Sequence, residues 1–376
     1  MIPFNRPAIA GKELDYIREA IQRGQLAGDG HFTQQCQLWL KQRFGCPGAL
    51  LTHSCTAALE MAAILLNIQP GDEVVMPSFT FVSTANAVVL RGGIPVFVDI
   101  RQDTLNIDES LIEDAITPCT RAIFVVHYAG VPAEMEPIAT IARRHRLTIV
   151  EDAAQALGSS YRSQKAGTIG ALGTFSFHET KNVISGEGGA LIINDPTLVE
   201  QAEIIWEKGT NRKRFFRGQV DKYTWVDVGS SFLPGELVAS FLFGQLEETA
   251  AIQRDRMGSW QAYDRVMRGF SNRGLQTPSI PDGCEHNAHL YYIVLPTAEL
   301  RAEFIKRMKA DGTMTPFHYV PLHSAPAGRR FARACGALKR TEDISERLVR
   351  LPLFPRMSDE LPRILAQAHS HLDRLL

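Results

Sequence analysis

Across residues 49–195 the chain alternates short apolar runs with stretches of helical spacing, and this alternation narrows the fold more than any other feature. The runs ALLT (49–52), EVVMP (73–77), IPVFVDI (94–100), AIFVVHY (122–128) and LTIVEDA (147–153) read as strands. Helical patterns lie between them, at 55–66, 84–90, 109–116 and 137–144. Strands apolar on both faces and joined by helices call for a mainly parallel sheet covered on both sides, an α/β fold. Ligands of such sheets sit beyond the carboxyl ends of the strands. Thr52, Pro77, His127 with Tyr128, and Asp152 all stand at strand ends, so one crevice should collect them.

The pattern changes after ALIIND (190–195). Residues 208–225 are basic, aromatic and aperiodic, and read as an excursion from the core. A long helical stretch at 236–267 leads away from the sheet. Beyond it the spacing predicts strands at 289–295 and 313–317, and helices at 298–310, 343–351 and from 358 to the end. This is a smaller α+β unit. The expected domains are therefore 1–245 and 246–376, with the N-terminal segment free to pack on the second.

A net charge of −1 with no long basic run argues against a nucleic-acid partner. The start MIPFNRPAIAGKELD has no apolar core of the signal-peptide kind. No charge-free apolar stretch reaches the roughly 18 residues that a membrane span needs. Cytoplasm is the expected compartment. Cys36, Cys46, Cys55, Cys119, Cys284 and Cys335 are scattered with no CxxC pair, so neither a disulfide scaffold nor a metal site is expected.

The chemistry gathers in two segments. GTFSFHETKN (173–182) places Lys181 just before GEGG (186–189), and EDAAQALGS (151–159) carries Asp152 and Gln155 at a strand end. Pyridoxal phosphate needs such a pair. Its aldehyde bonds a lysine amine, and its ring draws electrons only while a carboxylate keeps the pyridine nitrogen protonated. Lys181 and Asp152 fill these roles. The helix opening at SCTAAL (54–59) offers a phosphate seat, with amides from Cys55 and Thr56 and the hydroxyl of Thr56. Ser176 would add a second phosphate ligand. Phe81, in PSFTFVSTANAV (77–88), is placed to stack on the ring. Gln155 would reach the ring's phenolate oxygen, and His178 would order the lysine loop. GEGG reads as a tight backbone path. Any one of these residues alone would pass for a helix cap, a core aromatic or a surface lysine.

In their order and spacing these segments, together with FHYVPLH (317–323) and LPLFPRMSDE (351–360), resemble the DegT/DnrJ/StrS group of sugar-nucleotide aminotransferases across nearly the whole chain. The resemblance implies a fold-type I pyridoxal phosphate enzyme with a mainly parallel, seven-stranded type of sheet. It implies a homodimer with shared active sites, and L-glutamate as amino donor. MIPFNRP, GDGHFT (28–33) and the excursion look most like the branch that aminates dTDP-4-dehydro-6-deoxy-D-glucose to dTDP-4-amino-4,6-dideoxy-D-galactose for enterobacterial common antigen. Many relatives carry an asparagine, reached from the partner subunit, where this chain has Ser231. Arg212 and Arg217 in the excursion, and His323 in FHYVPLH, are candidate sugar-nucleotide contacts. The alternatives are a transaminase of another 4-keto or 3-keto sugar nucleotide, or a non-catalytic cofactor-binding regulator. A dehydratase of the same fold would have histidine in place of Lys181.

Overall fold

The five predicted strands form one sheet, in a computed structural model that describes residues 1–376. They lie at Gly48–Thr52, Glu73–Pro77, Ile94–Val98, Thr120–Val126 and Thr148–Asp152. Leu172–Ser176 and Gly189–Ile193 add two more, and the two-residue strand Arg333–Ala334 makes an eighth at the edge. The expected seven-stranded sheet is thus extended by a return of the C-terminal part alongside Ile94–Val98. In spatial order the strands begin at residues 48, 189, 172, 148, 120, 73, 94 and 333. All neighbouring pairs are parallel except those made by Gly189–Ile193, which runs antiparallel to both its neighbours.

The strands Gly48–Thr52, Glu73–Pro77, Leu172–Ser176 and Gly189–Ile193 bury every residue, and Thr120–Val126 and Thr148–Asp152 all but one each, which explains runs without polar alternation. One face packs on the helix Cys55–Leu65 through Ala58, Met61 and Ala62. The other face carries Phe175, with Phe177 just beyond its strand, against the helices His31–Phe44 and Glu236–Glu247, where Phe44 stacks on Phe175.

Three sequence expectations change. The helical stretch at 236–267 is two helices, Glu236–Glu247 and Thr249–Met267, meeting at Glu248. Residues 313–317 are not a strand: Thr313 makes only an isolated bridge to Ile2. The helix expected at 343–351 lies at Lys339–Arg347, and Leu348–Leu351 is a strand paired antiparallel with Tyr291–Val294. Val349 and Leu351 point into a core with Tyr263, Phe304 and Ile364. Only four residues carry that alternation, too few to set it apart from helical spacing in the sequence. Ile2 joins the same core, so the N-terminus packs on the C-terminal elements.

Candidate active site

A cavity of about 550 Å³ opens at the carboxyl ends of the parallel strands. Lys181, Asp152, Gln155, Cys55, Thr56, Phe81 and Ser176 all line it. Sheet register explains their convergence. Gly189 lies between Thr52 on one neighbouring strand and Ser176 on the other. A β-carbon on Gly189 would stand 2.4 Å from the Cys55 amide nitrogen. The second glycine of the GG pair is therefore required by close approach, and it draws the Lys181 loop against the Ser54 turn.

That turn begins the helix Cys55–Leu65. Ser54 is the cap, its hydroxyl accepting from the Ala57 amide at 3.1 Å. The Thr56 hydroxyl meets Ser83 at 2.7 Å, and Ser54, Thr56, Ser83, Ser176 and Thr80 face one cavity. Hydroxyls around a helix start suit a phosphate.

Asp152 ends its strand buried. Its carboxylate accepts from the Thr84 hydroxyl at 2.7 Å and the Ala154 amide at 3.2 Å, and Thr84 is in turn bonded to Thr80. Both partners of the carboxylate are neutral, so its charge remains available to a cation in the cavity. Gln155 accepts from the Ala129 amide and donates to the Tyr319 hydroxyl at 3.0 Å. The Ala129 contact fixes which end of the amide is oxygen, and the second N–H of Gln155 stays free for a ligand.

Lys181 is half-buried in the cavity wall and forms no salt bridge. Burial holds its amine below the ordinary lysine value; Cys55 and Asp152 oppose this, and the Arg350 cation adds to it. His178 stands at the turn before it. Its carbonyl accepts the Lys181 amide at 2.9 Å and its ring bonds Thr180, contacts that brace the turn carrying the lysine. The next residue, Asn182, bonds the carbonyl of Asn287 and the ring of His289, tying the lysine loop to the C-terminal elements. Phe81 remains 58% exposed at the cavity wall.

Ser231, Arg212, Arg217 and His323 do not line this cavity. Ser231 is exposed and bridges the backbone of Glu207, on a segment held beside the Ser54 turn by the His53 amide bonding the Phe232 carbonyl. Arg212 pairs with Glu207 and Arg217 with Glu203. The His323 ring bonds the Ser78 hydroxyl at 2.7 Å and Glu342 at 3.2 Å. Several lining residues went unread in the sequence: Phe4, Asn5, Ser54, Thr80, Ser83, His289, His318, Tyr319 and Arg350, as did Thr84 behind Asp152. Ser54 had a signal as the helix cap. Arg350 had none while its segment passed for a helix.

The donor set fits pyridoxal phosphate: an unpaired lysine, a carboxylate with neutral partners, and a hydroxyl-lined helix start share one cavity. Comparisons agree with this reading. A family model described as the DegT/DnrJ/EryC1/StrS aminotransferase family matches residues 7–367. The chain is 32% identical over 370 residues to the spore coat polysaccharide biosynthesis protein SpsC of Bacillus subtilis, covering 96% of this chain and 94% of SpsC. Its fold is similar to the aminotransferase TlmJ of Streptoalloteichus hindustanus, with TM-score 0.90, 29% identity and complete coverage of both chains. It is also similar to Spr1654 of Streptococcus pneumoniae. The PMP-form of that protein matches at TM-score 0.92 with 25% identity and complete coverage of both chains, and a PLP-form is known too.

Proposed function

The chain belongs to the DegT/DnrJ/EryC1/StrS aminotransferase family, and from that premise we propose that it moves the amino group of L-glutamate to dTDP-4-dehydro-6-deoxy-D-glucose. The products are 2-oxoglutarate and dTDP-4-amino-4,6-dideoxy-D-galactose. Aminotransferases of this family depend on pyridoxal phosphate. When bound, that group supplies an electron sink for the carbon that gains or loses the amine. The observation that carries the proposal is the shared cavity of Lys181 and Asp152. Lys181 would hold the group, and its amine would be the base and acid that moves a proton at the donor and acceptor carbons. A depressed amine pKa suits this work, because more of the amine is free base near neutrality. Asp152, oriented by Thr84, would keep the pyridine nitrogen protonated. Ser54, Cys55, Thr56 and Ser176 would seat the phosphate, Phe81 would stack on the ring, and Gln155 would donate to the phenolate oxygen.

The finer substrate assignment rests on MIPFNRP, GDGHFT and the excursion. Here Lys213 of the excursion pairs with Asp29 of GDGHFT at 2.6 Å, so two of these three segments form one local structure. Arg212 and Arg217 would contact the diphosphate by exchanging Glu207 and Glu203 for it, with His323 nearer the sugar. The exposed apolar side chains of Trp225, Val228, Phe317 and Val320 support a homodimer, in which Ser231 approaches the partner's phosphate. Residues 1–245 would form the cofactor-binding domain and 246–376 the smaller one, in a cytoplasmic enzyme of enterobacterial common antigen synthesis. No helix is long and apolar enough to cross a membrane.

The test is product analysis by mass spectrometry with glutamate and a panel of 4-keto and 3-keto sugar nucleotides. Preferential amination of dTDP-4-dehydro-6-deoxy-D-glucose with galacto stereochemistry supports the assignment. Preference for another keto-sugar nucleotide removes it and leaves the transaminase chemistry standing.

A further inference from the structure

Arg350 is the one cavity cation that the proposed chemistry does not employ. It lies on the strand Leu348–Leu351, where Val349 and Leu351 face the core and period-2 alternation turns Arg350 the other way, into the cavity. One terminal nitrogen donates to the Phe317 carbonyl at 2.9 Å. Its Nε is buried with no partner. No carboxylate pairs with it, whereas Arg101, Arg333, Arg340 and Arg347 each hold one. The ring of Phe4 covers one face of the guanidinium, with its carbon 4.4 Å from the ring centroid. With that face covered, a ligand in the cavity meets the guanidinium from its edge or its other side. Burial lowers the guanidinium's pKa, and the charge in turn depresses the Lys181 amine and the imidazoles of His289 and His318. An unpaired buried cation is costly, and a polar atom with no partner is uncommon in a finished site.

We propose that Arg350 binds a carboxylate of the amino-acid donor. This rests on the transaminase reading above. A planar carboxylate matches the offered edge of the guanidinium. A sugar diphosphate is less suited, being bulkier and tetrahedral, while Phe4 narrows the approach by covering one guanidinium face. The carboxylate also neutralises Arg350 beside Lys181. A cation that had been lowering the amine's pKa is thereby cancelled, and the amine's affinity for a proton rises when donor is bound.

The test uses the holoenzyme with Arg350→Gln and Arg350→Lys. Two steps are followed by visible absorbance: conversion of the bound cofactor by glutamate, and its return on adding the keto-sugar nucleotide. Binding of 2-oxoglutarate to the resting enzyme is titrated separately. Losing a charge-assisted contact should weaken glutamate and 2-oxoglutarate binding about ten- to a hundredfold in the glutamine variant. The lysine variant should recover part of this, keeping charge but not the fork. The keto-sugar step should change less than about threefold, and the pH midpoint of the cofactor's visible band should move up in the glutamine variant. Unaltered 2-oxoglutarate binding overturns the inference, as does damage confined to the keto-sugar step, which would make Arg350 a diphosphate ligand. If the wild type binds 2-oxoglutarate through Arg350 yet converts no glutamate, the transaminase reading fails and the carboxylate site stands.

Discussion

The cavity and the 208–225 excursion both carry cations, but they hold them in opposite ways. In the excursion Arg212, Lys213, Arg214 and Arg217 each sit against an acid: Glu207, Asp29, Glu200 and Glu203. In the cavity Lys181 and Arg350 are half-buried and neither has a salt-bridge partner. Partly exposed pairs in water cost little to keep and contribute little. Unpaired charges in a cavity cost more and persist where a ligand will meet them. Charge count alone draws attention to the excursion; pairing draws it to the cavity. The same contrast recurs within two residues of one strand. Glu151 is saturated by the amides of Gly167, Ile169 and Gly170 and by the His127 ring, and serves the scaffold. Asp152, on the opposite face, has only Thr84 and one amide.

The largest expected effect is that of Lys181→Ala. It should abolish turnover and the cofactor's visible band together, since alanine neither bonds the cofactor nor moves a proton; near-wild-type transamination in this variant would strike the lysine from the site. Asp152→Asn should lose roughly 10²–10³-fold in rate, by analogy with removing one electrostatic support from a reacting centre, while thermal stability changes little. Its neighbour gives the control. Glu151→Gln should lower the melting temperature and leave the rate per folded molecule nearly intact, because it strips partners from buried amides. Identical behaviour of the two variants would dissolve the distinction between scaffold and site.

Arg217→Gln should matter less. Glu203 already holds the guanidinium, so weakening of sugar-nucleotide binding is expected at about tenfold or less, near one exposed charge-assisted contact, with the glutamate step unchanged. A hundredfold loss would show that the excursion abandons its glutamates to close on the diphosphate.

The smallest effect concerns acid. Burial pushes His286 down to about 4 and holds His289 and His318 well below the ordinary histidine value. These rings stay neutral in the folded chain and take protons once unfolded. Stability should therefore fall as pH drops from about 6.5, the ordinary histidine value, towards 4, the folded value of His286. A melting temperature flat across that window would mean the three rings are better solvated than their burial indicates.

Much of this was legible in the sequence. The five strands from 49 to 153 show because parallel strands buried on both faces leave unbroken apolar runs. Lys181 and Asp152 show because the glycines and small residues around them permit the close approach seen at Gly189. What stayed hidden depended on contacts between distant segments. Thr84 reads as an ordinary helix residue until Asp152 is placed beneath it. Arg350 was concealed by a four-residue strand too short to declare its period, and Phe4 by the separation between the N-terminus and the strand it covers. The pairing of Arg212 and Arg217 with Glu207 and Glu203 was likewise unreadable, since helix and excursion must fold together before the acids meet the bases.

The most direct test is a single turnover followed by absorbance. Purified holoenzyme is mixed with glutamate alone, then given the keto-sugar nucleotide, with Lys181→Ala and Asp152→Asn in parallel. The wild type should lose its visible band with glutamate, release one 2-oxoglutarate per site, and regain the band as aminated sugar forms. Lys181→Ala should do none of this, and Asp152→Asn should do it slowly. A wild type whose spectrum ignores glutamate and other amino acids, or a Lys181→Ala protein that completes the cycle, would contradict the assignment of this cavity to amino transfer.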